Sequence, residues 1–191
     1  FVDDVNFTTA HPSILRNAQN LELAGLLAKE WEQEDKACFE SEKTELTHFQ
    51  ADRMDLSTVS IRFDGQVISP SDSMKWIGVW LDNKLSGAKH IQVRAMSAMR
   101  ALNASIAVMH KSWGLRPLLV RDLARSTVLP CADYGVASFL PLPPSAYKLL
   151  DRVNKSVARC ITGSFRSASL AALEKEAVIL PAQLRIERGA L

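Results

Sequence analysis

The stretch that decides the fold of the first half of the chain is Val59-Ser60-Ile61-Arg62-Phe63-Asp64-Gly65-Gln66-Val67-Ile68-Ser69. Val59, Ile61 and Phe63 alternate with polar residues, and this period of two predicts a half-buried β-strand. Asp64 and Gly65 both tolerate a positive φ, so they predict a tight turn into a second strand. We therefore expect an antiparallel hairpin at this point.

Strands and one helix are expected on either side of this hairpin. The further predicted strands are Val5–Thr8, as the return strand of a hairpin turning at Asp3 and Asp4, Lys43–Phe49, and Met74–Leu81. A helix that packs on the sheet is predicted from the helical spacing of Ile14, Ala18, Leu21, Gly25, Ala28 and Trp31. Gly78 interrupts the last strand, which indicates either a tight bend between packed strands or a close approach of another backbone.

Beyond Asp82 the apolar residues recur at the three-and-four spacing of helices. One helix is predicted from Ile91, Ala95, Met99, Leu102, Ile106 and Met109, ending at Trp113-Gly114. The next begins at Pro117 and carries Val120, Leu123, Ala124, Thr127 and Val128. Another is marked by Leu150, Val153, Val157 and Ile161, capped by Ser145 and ended by Gly163. The fold class is therefore α+β, with strands and a packed helix in residues 1–82 and an all-helical bundle in residues 83–191.

The composition is that of a globular protein, with 47% apolar and 23% charged residues in a chain of 191. Cys38, Cys131 and Cys160 are widely spaced, so they indicate neither a disulfide framework nor a zinc site and suit a reducing compartment. No apolar run has membrane-spanning length, and no basic-then-apolar leader is seen. We expect a soluble intracellular protein with no membrane partner.

The small net charge of +2 hides a strong asymmetry along the chain. Residues 1–82 carry 7 basic and 15 acidic side chains, whereas residues 83–191 carry 16 basic and 6 acidic ones. A basic half suits a polyanion, because Lys and Arg that neutralise phosphates release condensed counterions. A solvated basic surface without a partner is the alternative interpretation.

The first four residues, Phe1-Val2-Asp3-Asp4, place adjacent carboxylates after two β-prone residues. Two aspartates at a tight turn present the hard oxygen ligands that divalent cations prefer, as two-metal phosphoryl chemistry requires. Two solvated acids in a loop are the plain alternative, because an Asp-Asp pair arises by chance about once in a chain of this length.

An ordered series of motifs gives the chain a family resemblance over nearly its whole length. The motifs are Phe1-Val2-Asp3-Asp4, Lys43-Thr44-Glu45-Leu46, Trp76-Ile77-Gly78-Val79-Trp80-Leu81-Asp82, Trp113-Gly114-Leu115-Arg116-Pro117, Val128-Leu129-Pro130 with Tyr134-Gly135, Ile161-Thr162-Gly163-Ser164-Phe165-Arg166, and Ala171-Ala172-Leu173-Glu174. In order and approximate spacing this series resembles reverse transcriptases of non-LTR (LINE-like) retrotransposons. The resemblance implies a partial right-hand polymerase: the palm from its catalytic hairpin onward, with the primer-grip strand, in residues 1–82, and the thumb and connection segment in residues 83–191.

The resemblance also implies roles for individual residues. Asp3 and Asp4 would be catalytic and would hold Mg²⁺, Asp3 being the better candidate for a direct ligand, together with a third aspartate from an upstream strand. Lys43 would lie near the triphosphate, where an ammonium group neutralises charge or donates a proton to pyrophosphate; a surface lysine is the alternative. The residues before it, Phe39-Glu40-Ser41, depart from the Phe-Asn-Pro that is frequent in the family.

Two groups of residues are implied to contact nucleic acid. The primer grip would be formed by Trp76, Ile77, Gly78 and Val79, whose backbone would steady the primer end, with Trp76 and Trp80 as core side chains in the alternative. The thumb contacts to the primer–template backbone would be Lys89, Arg94, Arg100, Lys111, Arg116, Arg121 and Arg125, acting by charge and shape. At the start of that series the sequence has Gly87-Ala88-Lys89, where the family usually has an aromatic and an acidic residue.

The expected function is RNA-directed DNA polymerisation, a two-metal nucleotidyl transfer from deoxynucleoside triphosphates to a primer 3′-hydroxyl. Its expected partners are an RNA template, a DNA primer, and the upstream palm and fingers of a full-length polyprotein, in the cytoplasm and nucleus. The isolated chain is expected to be inactive, because the third aspartate is absent. The alternatives are a non-catalytic nucleic-acid-binding helical protein or remnant of a decayed element, and a helical module for protein interaction.

Overall fold

The computed structural model describes residues 5–35, 39, 41–49, 59–107, 109 and 114–190. The chain divides into two compact units, Phe1–Leu85 and Ser86–Leu191, here called unit 1 and unit 2. Unit 1 contains a long helix and two small antiparallel sheets, and unit 2 is helical throughout its described elements. The predicted α+β class is thus confirmed, and the predicted boundary after Asp82 lies close to the division between the units.

In unit 1 a single long helix, α1 (Ile14–Asp35), packs against the first strand, β1 (Ile61–Phe63). Gly25 makes this packing close, because a Cβ at that position would lie 2.8 Å from a ring carbon of Phe63. The Glu22 carboxylate accepts a hydrogen bond of 2.8 Å from the backbone N–H of Arg62. The predicted helix, and its packing on a β-structure, are confirmed.

The first hairpin has the predicted form. The strand β1 pairs antiparallel with β2 (Gln66–Ile68), with Ile61 opposite Ile68. Asp64 and Gly65 have φ of 51° and 75°, the two positive values that a type I′ turn requires. This turn matches the right-handed twist of the strands, which is why an Asp-Gly pair between alternating apolar residues predicts it well.

The predicted continuous strand Met74–Leu81 is wrong. It is a second hairpin, in which β3 (Ser73–Trp76) pairs antiparallel with β4 (Val79–Asp82). Ile77 and Gly78 form its turn with φ of 47° and 77°, again the two-residue I′ pattern. The tight bend between packed strands is therefore confirmed for Gly78, and the close approach of another backbone at this turn stays a prediction.

Two other predicted strands are not present. Residues 5–8 are not in a strand, since none of the described strands pairs with them, and Asp3 and Asp4 lie outside the described residues. Within 43–49 the only strand-like residue is Leu46, which forms an isolated parallel bridge with Pro70 after a 3₁₀ turn over Ser41–Lys43. The segment lacks clean alternation, so one bridge is all that it contributes to a sheet.

The α-helices of unit 2 have 5 to 19 residues and surround one apolar core, and a short 3₁₀ helix, Val136–Phe139, lies between two of them. The α-helices are α2 (Ala88–Ser105), α3 (Pro117–Leu123), α4 (Leu129–Asp133), α5 (Pro144–Thr162), α6 (Leu170–Ala177) and α7 (Ala182–Gly189). The largest fully buried apolar side chains are those of Ile91, Val128, Val136, Leu150, Val153 and Val157. The predicted starts and core positions at Pro117, Leu150, Val153, Val157 and Ile161 are confirmed, as is the end of α5 at Gly163.

Two predicted helix ends in unit 2 are wrong. The helix α2 ends at Ser105 and not at Trp113, which lies outside the described residues. The Ser105 hydroxyl donates to the carbonyl of Ala101 at 2.9 Å, a local bond by which serine competes with the helical backbone. Ser145 does not cap α5, because the cap position is Pro143 and makes no side-chain bond. The proline at the first position needs no cap for its own nitrogen, because it has no N–H to donate.

A polar network joins four of the helices of unit 2. Arg185 on α7 binds both carboxylate oxygens of Asp133 at the end of α4 and the side-chain oxygen of Asn154 at 2.8 Å. Asn154, fully buried in α5, donates to Glu174 of α6 at 2.7 Å and to the carbonyl of Leu180 at 3.0 Å. Because buried polar groups destabilise unless paired, this network fixes how the helices align. No helix in the described ranges is long and apolar enough to cross a membrane.

Candidate nucleic-acid interface

The proposed metal ligands cannot be placed, because Asp3 and Asp4 lie outside the described residues. In the part of the chain that is described, no group of three His, Cys, Asp or Glu side chains lies close enough together to hold a metal ion. The magnesium site therefore stays a prediction that rests on Asp3 and Asp4.

Lys43 lies in an exposed turn beside the second hairpin. It ends the 3₁₀ turn Ser41–Lys43, and two residues later the Glu45 carboxylate accepts a hydrogen bond of 3.2 Å from the backbone N–H of Lys75. The carbonyl of Leu46 accepts a bond of 2.8 Å from Ser71. The Glu45 side chain thus attaches the Lys43 segment to β3, and one bridge attaches it to Pro70, in place of the predicted strand.

The four primer-grip residues form the tip of the second hairpin. Trp76 ends β3, Val79 begins β4, and Ile77 and Gly78 are the turn between them. Trp76 is 42% exposed and Ile77 is 63% exposed, so Trp76 is not the core residue of the alternative interpretation. Trp80 is half-buried.

Ile77 is a conformational outlier. With φ of 47° it occupies the left-handed region, which a β-branched residue rarely enters and which costs about 1–2 kcal/mol for a residue with a Cβ. Strained residues of this kind cluster at ligand clamps and functional loops. The tip is therefore a rigid turn that presents an exposed apolar surface at the expense of local stability.

The predicted basic contacts of α2 lie on different sides of the helix. Lys89 and Arg100 are exposed and eleven residues apart, which at about 100° per residue places them on the same face. Arg94 is half-buried on another side, where its Nε donates to the carbonyl of Cys131 at 2.8 Å and its guanidinium lies 5.0 Å from the ring centre of Tyr134. Arg94 therefore also links α2 to α4 within the bundle.

The remaining predicted basic contacts lie near α3. Arg116 is exposed at its N-terminal cap, and the guanidinium of Arg121 lies 3.8 Å from the carboxylate of Asp122, which neutralises part of its charge. Arg125 is exposed in the segment that follows α3. Lys111 lies outside the described residues.

Arg125 lies in a turn of π-helix, Ala124–Val128, between α3 and α4. Here the N–H of Leu129 donates to the carbonyl of Ala124, five residues back, and the hydroxyl of Thr127 donates to the carbonyl of Leu123 at 2.6 Å. Pro130 explains the wide turn, because a proline has no N–H and its ring clashes with the carbonyl four residues earlier in an α-helix. The wide turn relieves that clash while the helix continues to Asp133.

A buried histidine in α2 was not singled out from the sequence. His90 has no exposed surface, and its Nε2 lies 2.7 Å from the carbonyl oxygen of Tyr134, with Phe139 stacked at 5.6 Å between ring centres. Burial lowers the pKa of His90 below its ordinary value; the hydrogen bond with the Tyr134 carbonyl opposes this shift, and the nearby positive charge of Arg94 adds to it. The histidine is thus a structural residue that favours the neutral form.

A second group that sequence reasoning missed is a row of basic residues on α5. Lys148, Arg152, Lys155 and Arg159 recur at four, three and four residues, and this spacing is visible in the sequence. The row lies opposite the apolar positions of the same helix.

No protein-family model, curated protein or solved structure matches the chain.

Proposed function

We propose that the chain is part of an RNA-directed DNA polymerase of a non-LTR retrotransposon. Residues 1–82 supply part of the palm, with the tip of the second hairpin as primer grip, and residues 83–191 supply the helical thumb and connection segment. The polymerase transfers nucleotides from deoxynucleoside triphosphates to the 3′-hydroxyl of a DNA primer on an RNA template. The motif series of the sequence carries this proposal.

The single structural observation that supports it best is the geometry of the hairpin tip. A primer grip needs a rigid backbone that projects from its sheet, and a two-residue I′ turn flanked by paired strands is such a backbone. Trp76 and Ile77 at this tip are exposed rather than packed in a core, and Ile77 holds a strained φ of 47°. Local strain at an exposed turn fits a site that binds a ligand.

The surface of α1 supports the proposed upstream palm and fingers as a partner. Several large apolar side chains of this helix are exposed: Leu15, Leu23, Leu26, Leu27 and Trp31. Exposed apolar groups that lie together on one element indicate a surface that another protein segment covers. A complete palm would bring such a segment, together with the third aspartate.

Magnesium is proposed as the cofactor on the chemistry of Asp3 and Asp4 alone. When bound, two such ions activate the primer hydroxyl and stabilise the leaving pyrophosphate. Carboxylate oxygens suit the ion. Lys43, in its exposed turn, is proposed to neutralise triphosphate charge. Because Asp3 and Asp4 are too few ligands on their own, the isolated chain is proposed to be inactive.

The proposed thumb contacts are the basic residues of unit 2 named from the sequence. Lys89, Arg100, Arg116 and Arg125 have the exposure that contacts to a phosphate backbone need. Arg94 and Arg121 have neighbours within the bundle, so their side chains are the less available members of the group. Lys111 belongs to the proposal on sequence alone.

The grip is tested by binding of an RNA–DNA hybrid with a recessed primer 3′ end, compared with a blunt hybrid of the same length. The wild-type chain should prefer the recessed end. Gly78→Val should remove the preference, because valine is strained at the φ of 77° that the turn needs. Val67→Ala, an exposed position in the other hairpin, is the control and should keep the preference. Equal binding of both hybrids by the wild-type chain would refute the grip.

A second candidate function is non-catalytic binding of nucleic acid, which the basic excess in residues 83–191 favours. The two functions differ in their need for Asp3 and Asp4. In a polypeptide that also carries the proposed upstream palm and fingers, replacing both by Asn removes the magnesium-dependent activity of a polymerase, whereas non-catalytic binding of nucleic acid stays intact.

A further inference from the structure

The helix α5 carries a straight row of positive charge, here called the α5 row: Lys148, Arg152, Lys155 and Arg159. At about 100° per residue the four positions fall within roughly 60° of one another, and at about 1.5 Å per residue they span about 16 Å of helix. Lys148 and Arg152 are exposed, while Lys155 and Arg159 are half-buried. The opposite face of α5 is in the core of unit 2.

The charge of the α5 row is not neutralised within the described part of the chain. No described acidic side chain forms an ion pair with any of the four, and none of their side chains has a described hydrogen-bond partner. The Nε of Arg159 is shielded from solvent and still has no such partner. The neighbouring acid on the helix is Asp151; burial raises the pKa of its carboxyl, and the positive charge of Arg185 acts in the opposite direction. The row therefore offers an outside partner two exposed cations, Lys148 and Arg152, and two half-buried ones, Lys155 and Arg159.

An exposed aromatic side chain follows the row. The helix ends at Gly163, and Phe165, six residues beyond Arg159, is 86% exposed. Arg166 follows it and is also exposed. A phenylalanine gains stability from burial and here has almost none, so the side chain is free to stack on a flat partner.

We propose that the α5 row and Phe165 form a binding surface for single-stranded nucleic acid. Proteins that bind single strands combine a line of positive charge, which follows the phosphates, with aromatic side chains on which unpaired bases stack. Both parts occur here within one helix and the turn after it. The row binds the backbone by charge, and Phe165 stacks on a base without regard to sequence.

The structure favours this partner over two others. An anionic membrane takes up an amphipathic helix through its apolar face, but the apolar face of α5 is buried in the bundle. A nucleic-acid duplex keeps its bases stacked inside, so it would engage the row and leave Phe165 without a role. Only an unpaired strand uses both features.

This surface goes beyond the proposed primer–template contacts of α2 and α3, and it does not depend on polymerase activity. In the proposed polymerase it would hold template or displaced strand outside the duplex. The two proposals fail independently. A chain that does not polymerise still binds single strands through this surface, and a chain that does not bind single strands says nothing about the primer grip.

The test is fluorescence anisotropy of the whole chain with a labelled oligothymidylate of about 12 nucleotides, a length within the usual site size for single strands, over a range of salt. The double variant Lys148→Gln/Arg152→Gln is compared with Lys175→Gln/Arg188→Gln, which removes two exposed charges from α6 and α7. Each lost phosphate contact to a single strand reduces the salt slope by about 0.7. We expect the first variant to reduce the slope by about 1.4 and the second to leave it unchanged.

Phe165→Ala supplies the second readout. Loss of one stacked base should weaken binding of the oligothymidylate by about 5- to 150-fold, with an unchanged salt slope and no change for a duplex of equal length. Because Phe165 is exposed, the variant keeps its fold, which circular dichroism checks. The proposal is overturned if Phe165→Ala binds like the wild type, if both double variants lose slope equally, or if the α5 row binds anionic vesicles and no oligonucleotide.

Discussion

Replacing Ile77 by Asn should make the second hairpin more stable. Ile77 has φ of 47°, a region that costs about 1–2 kcal/mol for a side chain with a Cβ and that Asn tolerates far better. The substitution also removes the stabilisation that comes from burying the Ile77 side chain. This loss is small, roughly 0.5–1 kcal/mol, because Ile77 is 63% exposed. The balance is a net stabilisation of about 0.5–1 kcal/mol.

Hydrogen exchange of the amides in residues 73–82 measures this change locally. A stabilisation of about 0.5–1 kcal/mol slows exchange of the hairpin by about two- to fivefold. The control is Asp64→Asn in the first hairpin, whose turn has the same geometry with φ of 51°. The Asp64→Asn variant loses the ion pair with Lys29, which contributes little at the surface, and it replaces no β-branched side chain at a strained φ. Exchange of the first hairpin's amides should therefore stay near the wild-type rate.

The outcome that refutes this reasoning is faster exchange of the second hairpin in Ile77→Asn than in the wild type. The packing of the Ile77 side chain would then stabilise the tip by more than its positive φ destabilises it. The strained backbone would no longer support a binding role. An equal change in both variants would show that the effect belongs to Asn and not to the release of strain.

Three further predictions concern unit 2. Gly87→Ala should lower the free energy of unfolding of unit 2 by about 2–4 kcal/mol in urea denaturation. The reason is that Gly87 has φ of 71° and that a Cβ there would lie 2.5 Å from the ring of Phe139. A change below about 1 kcal/mol would contradict this close approach. Arg185→Met should lower it by about 2–4 kcal/mol by leaving the carboxylate of Asp133 partly buried without its partner, and adding Asp133→Asn should recover part of the loss; no recovery would contradict the pairing. Burial lowers the pKa of His90, so the unfolded state binds more protons than the folded state at mildly acidic pH. The stability should be complete above about pH 6.5 and fall as the pH drops below it. If the melting temperature of His90→Gln depends on pH as strongly as that of the wild type, this reasoning is wrong.

The first hairpin was predictable because every local signal agrees. Alternating Ile61 and Phe63, the Asp64-Gly65 turn and the apolar return strand all favour the same pairing. The helical half was predictable for the same reason, since the apolar period of α5 places Leu150, Val153 and Val157 in the core.

The second hairpin was missed because its local signals conflict. Trp76, Ile77 and Val79 all favour an extended strand, and Ile77 occupies a turn position that ordinarily takes Asn, Asp or Gly. Pairing between β3 and β4 overrides that preference. A site where local preference and structure disagree is also where a functional constraint is expected, and here it coincides with the proposed primer grip.

The candidate contacts were only partly predictable, because a sequence shows which side chains are charged but not whether they face solvent or the protein interior. Lys89 and Arg100 are exposed on one face of α2, whereas Arg94 is turned to the carbonyl of Cys131, and a residue count cannot separate these cases. The α5 row was readable from its spacing. The absence of neutralising partners for it among the described residues, and the exposure of Phe165 six residues after Arg159, required the folded structure.

The measurement that tests the polymerase proposal most directly is primer extension on an RNA template by the polypeptide that includes the reading frame upstream of Phe1, with and without Asp3→Asn. The account predicts magnesium-dependent incorporation of deoxynucleotides, its loss in Asp3→Asn, and none by residues 1–191 alone. Incorporation that survives Asp3→Asn, or an upstream frame that supplies no further aspartate and no activity, would contradict it.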